Sequence, residues 1–148
     1  MCDLITKELI TLDLKTTSKK ETIDEMAKMI EGQGRLHDIE GFVQQVEARE
    51  DQFSTAVGYS VAIPHGKTES VKTASLAFAR LENEVKWSDE ESARYVFLIA
   101  VPEAEAGNRH LKILAQISRS IMREEFREKL GAVGTIDEVL ELLSFDEV

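Results

Sequence analysis

An α/β fold, with a mixed central β-sheet flanked by helices on both faces in a single compact domain, follows from three features of the sequence. The apolar run Tyr95-Val96-Phe97-Leu98-Ile99-Ala100-Val101, stopped by Pro102, reads as a central strand covered on both sides. Two helix-start signatures, Ser18-Lys19-Lys20-Glu21 and Thr135-Ile136-Asp137-Glu138, each precede an amphipathic stretch. Strand-like and helix-like segments are interspersed along the chain, which is the pattern of a sheet layered between helices.

The elements follow in order. Residues 4–14 mix apolar and polar positions and predict a first strand. Ser18 and Glu21 predict a capping box, after which Ile23, Met26, Ala27 and Ile30 recur at helical spacing until Gly32 and Gly34. Asp38 is the expected cap of a second helix, with Ile39, Phe42, Val43 and Val46 as its apolar stripe. Thr55 to Ile63 reads as irregular or strand-like, ending at Pro64. Thr73 to Leu81 predicts a half-exposed strand, and Glu84 to Trp87 a separate short one. Helices are expected from about Asn108 to Met122 and from Glu124 to Leu130. A last helix is expected after Thr135, with Ile136, Val139, Leu140 and Leu143 inward. Strand directions are not legible in these patterns.

The 148 residues suit one domain spanning 1–148, long enough to bury a core without staples. Eighteen basic against 28 acidic residues give a net charge of −10, which argues against nucleic-acid binding. No apolar run approaches the roughly 20 residues of a membrane span, and no signal peptide is visible. A cytoplasmic protein without direct membrane insertion is expected. The single cysteine, Cys2, excludes an internal disulfide and reads as an incidental thiol. The three histidines and Cys2 show no metal-ligand spacing, and neither a P-loop nor Gly-x-Gly-x-x-Gly is present. No metal and no cofactor are therefore expected.

The segment Val57-Gly58-Tyr59-Ser60-Val61-Ala62-Ile63-Pro64-His65-Gly66 delivers a histidine to the end of an apolar stretch. Pro64 fixes its own φ and lacks a donor, and Gly66 permits close backbone approach. An unperturbed imidazole has a pKa of about 6.5, so the neutral ring dominates at pH 7 and offers a nitrogen lone pair to phosphorus. Pro-His-Gly alone reads more readily as a turn histidine bonded to a backbone carbonyl. Placed on a helix, His110 shares a face with Ile113, Leu114, Ile117 and Ile121 and sits in the first turn, where an anion is favoured. It reads also as a core-edge histidine. Arg49 lies near the end of the second helix, beside Phe42 on the wheel, and capping of that helix end is its plain structural reading.

A wider pattern joins these residues. Glu50, six residues, Val57-Gly58, two residues, and Val61-Ala62-Ile63-Pro64-His65-Gly66 resemble the active-histidine signature of the fructose- and mannitol-type enzyme IIA family. That family belongs to the bacterial phosphoenolpyruvate-dependent sugar phosphotransferase system. Ala48-Arg49-Glu50 before the signature and Arg109-His110-Leu111-Lys112-Ile113-Leu114 after it extend the resemblance over most of the chain. The resemblance implies a phosphohistidine carrier. His65 would take a phosphoryl group on Nε2 from phospho-HPr and pass it to a cysteine of an enzyme IIB domain, with an indirect link to the membrane permease, enzyme IIC. His110 and Arg49 would steady the phosphoryl oxygens, the latter with its planar, permanently charged fork. Donor and acceptor would share one apolar docking surface.

Nitrogen-type relatives carry a similar histidine motif and regulate other proteins instead of feeding a permease. A histidine phosphatase would need a general acid near the leaving group, and the motif contains none. A pure interaction module would take no covalent phosphate. His37, among turn residues, is expected at the surface. Lys67 is available to steer phosphate, and Ser54 and Thr55 read either as phosphoryl donors or as turn hydroxyls.

Overall fold

The computed structural model describes residues 4–104 and 109–143, the side chains of residues 109 and 110 excepted. Cys2 and Asn108 lie outside the described residues. The elements are β1 (Ile10–Leu14), α1 (Lys19–Gly32), α2 (Ile39–Gln52), β2 (Ala56–Gly58), β3 (Val61–Ala62), β4 (His65–Thr68), β5 (Ser75–Lys86), β6 (Ser92–Pro102), α3 (Arg109–Ile121), α4 (Glu124–Ala132) and α5 (Ile136–Leu142). The six strands form one mixed sheet in the order β1-β5-β6-β3-β2, with β4 also paired to β6. β1 runs parallel to β5, β5 antiparallel to β6, and β3 and β4 both run parallel to β6.

Side-chain alternation along the two long strands builds two cores. Ala77, Ala79 and Leu81 of β5 and Val96, Leu98 and Ala100 of β6 pack with Ile23, Met26, Ala27 and Ile30 of α1 and Phe42 and Val46 of α2. The intervening Leu76 and Phe78, and Phe97, Ile99 and Val101, face Ile113, Ile117 and Ile121 of α3, Phe126 and Leu130 of α4, and Val139 of α5. The small residues on the first face let α1 and α2 lie close to the sheet. On the second face Phe78 and Phe97 meet at 5.0 Å in a tilted pair. The sheet is thus covered on both faces, as the run at residues 95–101 required.

Several local expectations are corrected. The first strand is shorter than residues 4–14, because Lys7–Leu9 form a 3₁₀ turn. Ser18 does cap α1, its Oγ accepting from Glu21 N at 3.1 Å. Glu21, however, accepts from Thr17 N at 2.7 Å, so the reciprocal half reaches one residue further back. Asp38 occupies the cap position of α2 without a side-chain capping bond. The segments Thr73–Leu81 and Glu84–Trp87 belong to one strand, whose pairing with β6 resumes at Val85↔Ala93 after an irregularity. Ile136 is 37% exposed, against the inward position expected of it.

The box at α5 forms in full. Bonds from Gly134 N, from the Thr135 hydroxyl and from Thr135 N hold the Glu138 carboxyl below the usual carboxylate range. Since the folded carboxyl titrates below the unfolded one, its stabilising contribution is complete above the unfolded value and is lost as pH falls through the folded value. Thr135→Ala is expected to lower stability by about 1 kcal/mol at neutral pH. Thermal denaturation across pH checks this, and the wild-type advantage should shrink in acid.

Candidate functional site

The site lies where the flank of β6 changes partner. β3 pairs Val61↔Tyr95 and Ala62↔Val96, and β4 pairs His65↔Ile99 and Gly66↔Ala100. Ile63 and Pro64 link the two short strands, and Pro64 O accepts from Ile99 N at 3.0 Å. The hairpin that feeds this flank turns at Tyr59 and Ser60, with φ of 57° and 63°. Neither is the Asn or Gly that such a turn favours, so contacts from elsewhere hold it. The Arg127 guanidinium lies 3.9 Å from the Tyr59 ring centroid. Ser60 O accepts from Arg94 N and Tyr95 N at 2.8 and 3.0 Å.

Register fixes which way the histidine faces. Parallel partners share a face and neighbours alternate. Gly66, beside Ala100, faces α2, and a Cβ built on it would lie 3.1 Å from Val46 Cγ2 and 3.3 Å from Phe42 Cε1. Any larger residue would press on these α2 side chains, which would have to give by a few tenths of an ångström. His65, beside Ile99, therefore faces the side covered by α3. His110 lies in the first turn of α3, so its backbone enters on that same side. The His110 side chain lies outside the described residues.

The His65 ring is half-buried, and its Nδ1 is 3.0 Å from Ile63 O. A carbonyl only accepts, so Nδ1 carries the proton in this bond. The neutral ring then has its lone pair on Nε2. The ring thus makes the backbone bond that a turn histidine would make, and that bond leaves the free lone pair on the outer nitrogen.

Arg49 is half-buried in the last turn of α2, one turn beyond Gln45 and Val46 on the face that lies over Gly66. Its Nη1 donates to Phe53 O at 2.8 Å, which caps the helix. This uses one of the guanidinium's five donors. Pattern reasoning left Ser54, Thr55 and Glu50 without a settled role. Thr55 is buried, and its hydroxyl is engaged with Glu50, so it is a structural hydroxyl instead of a phosphoryl donor. Glu50, seen in the sequence only as a motif position, is buried and ion-paired to Lys19 at 2.8 Å. No spacing could reveal that pair, since Lys19 belongs to another helix. Ser54 Oγ accepts from Ala56 N at 3.1 Å, a turn bond. His37 is exposed, as expected.

Among the described residues, no three His, Cys, Asp or Glu side chains gather to hold a metal ion, and no helix is long and apolar enough to cross a membrane. Comparison with known proteins gives the frame for this geometry. The chain is 35% identical over 144 residues to the PTS system fructose-specific EIIABC component of Bacillus subtilis (strain 168). That match takes in 96% of this chain and 22% of the relative, so the chain spans about a fifth of that protein's length. It is 38% identical over 135 residues to a nitrogen regulatory protein of Bradyrhizobium diazoefficiens, covering 88% of this chain and 85% of the relative. Among solved structures it resembles enzyme IIAMTL in complex with phosphorylated enzyme IIBMTL from Escherichia coli, at 28% identity and a TM-score of 0.80, covering 95% and 99% of the two chains. The family described as "Phosphoenolpyruvate-dependent sugar phosphotransferase system, EIIA 2" matches residues 3–145, and this chain belongs to that family.

Proposed function

We propose that the protein is a cytoplasmic phosphohistidine carrier that takes a phosphoryl group from phospho-HPr on His65 Nε2 and passes it to a cysteine of an enzyme IIB domain for sugar uptake of the fructose and mannitol class. The observation that carries this reading is the Nδ1–Ile63 O bond, which presents Nε2 as the attacking atom. In each transfer one bond to phosphorus forms as another breaks in line. Nε2 attacks as the donor's phosphorus–nitrogen bond opens, and later the cysteine sulfur attacks as the Nε2–phosphorus bond opens. The protein's contribution is position and charge, with Arg49 and His110 donating to the phosphoryl oxygens. The proposed enzyme IIB acceptor agrees with the enzyme IIB bound to the structural relative. Phe53, whose carbonyl holds Arg49, and Val57, on the hairpin leading to His65, are exposed apolar side chains suited to the shared docking surface. The link to a membrane enzyme IIC is indirect, through enzyme IIB.

Incubation with phosphoenolpyruvate, enzyme I and HPr is expected to add one acid-labile phosphoryl group per chain. An unchanged intact mass overturns the proposal.

A second reading, a regulatory protein of the nitrogen type, is favoured by the 38% identity to the Bradyrhizobium diazoefficiens protein over most of both chains. Phosphate transfer to a panel of enzyme IIB domains separates the two. Rapid transfer to one of them supports the sugar branch, and transfer to none supports the regulatory one.

A further inference from the structure

Glu50 opens the sequence motif, yet its carboxylate serves the chain behind His65. It is 3% exposed, and both oxygens are engaged. Lys19 Nζ donates to Oε1 at 2.8 Å, and Thr55 N donates to the same oxygen at 3.1 Å. The Thr55 hydroxyl donates to Oε2. Trp87 Nε1 in turn donates to Thr55 Oγ1 at 3.4 Å, and the Lys19 ammonium lies 5.5 Å from the Trp87 ring centroid. Residues from α1, from α2, from the loop between α2 and β2, and from just beyond β5 thus meet around Glu50 and Thr55.

Thr55 passes that restraint forward. Its carbonyl accepts from Ile63 N at 3.0 Å. The Ile63 carbonyl is the group that accepts from His65 Nδ1, also at 3.0 Å. Between Ile63 and His65 stands only Pro64, whose fixed φ leaves little slack. A shift of Thr55 therefore reaches the acceptor that selects the ring's tautomer. The choice of a carboxylate is informative as well. An ion pair on a buried carboxylate often adds little stability over apolar packing of the same volume, whereas this one, with its bonds to Thr55 N and Oγ1, also fixes the placement of a backbone segment.

We infer that Glu50 is a positioning residue for His65: by anchoring Thr55 it fixes Ile63 and, through the Ile63 carbonyl, the orientation and tautomer of the imidazole. Its relevance to transfer rests on the phosphocarrier reading above, but its geometry can be tested without phosphate.

The experiment is nitrogen-15 NMR of the His65 ring in the unphosphorylated protein, with phosphorylation rates measured in parallel. The wild type is expected to show the Nδ1–H tautomer. Glu50→Ala is expected to give ring nitrogen shifts averaged between tautomers and phosphorylation about 10- to 100-fold slower. Glu50→Gln keeps an oxygen for Thr55 N and is expected to retain the wild-type ring signature. Thr55→Val removes only the hydroxyl and is expected to shift the ring signals in the direction of Glu50→Ala, by less. Wild-type ring signals in folded Glu50→Ala overturn the inference. If Glu50→Ala does not fold, wild-type ring signals in Thr55→Val overturn it. If the ring signals respond as expected while the wild type takes no phosphate, the carrier reading fails and the positioning role stands.

Discussion

His65→Ala is expected to abolish phosphoryl labelling while leaving the fold intact. The strand that carries the residue does not depend on its side chain. Pro64 O accepts from Ile99 N, and β4 keeps its register on β6 through Gly66↔Ala100 and Lys67↔Val101. The ring contributes one hydrogen bond, to Ile63 O, from a half-buried position. Losing such a bond costs about 1 kcal/mol, or a fall in Tm of roughly 2–4 °C in a chain of this size. The chemical loss is of another order, because the acceptor atom itself is gone. His37 is exposed in the turn before α2, its backbone N donating to Ser70 O at 2.7 Å. Intact-mass measurement after incubation with the donor system, beside a melting curve, checks both halves. Acid-labile phosphate persisting on the variant would move the site to another residue.

Elements whose information is local were legible in the sequence. The α1 stripe, the covered strand β6 and the capping box of α5 each follow from neighbouring residues that satisfy one another. What failed depended on partners distant in the chain. Glu82, Asn83 and Glu84 interrupt the apolar pattern of β5 and suggest two strands, yet backbone pairing with β6 carries the strand on to Lys86. The β2–β3 hairpin gave no turn signal, since Tyr59 and Ser60 adopt left-handed backbone through contacts with Arg127 and β6. Asp38 has the composition of a cap without its bond.

The site divides the same way. His65 was legible because its setting, Pro before and Gly after, is written beside it. That the ring's inner nitrogen would bond Ile63 O, and that its face would be the one covered by α3, needed the register of β4 on β6. The anchoring of Glu50 and Thr55 needed Lys19 and Trp87, which arrive from α1 and from beyond β5. Motif spacing therefore singled out the candidate histidine and missed what holds it.

Arg49→Ala is expected to leave a folded protein whose phosphoryl transfer is slower by about 100-fold or more, the cost of removing one charged donor from a developing anion. The structure gives Arg49 a competing role, since its Nη1 bond to Phe53 O caps α2. The cap and the cation at the negative end of the helix together contribute about 1 kcal/mol, which a melting curve would register as a few degrees. Stability alone therefore cannot separate the roles, and Arg49→Lys does so. A lysine ammonium can still bond the last carbonyls of a helix, so the thermal loss should largely be recovered. It lacks the planar fork that grips two phosphoryl oxygens while another donor holds Phe53 O, so the rate should remain well below wild type. Recovery of both stability and rate by lysine would reduce the role to charge alone. Wild-type transfer in Arg49→Ala would leave Arg49 as a helix cap and shift the burden of neutralising the phosphoryl group to His110 and the first turn of α3.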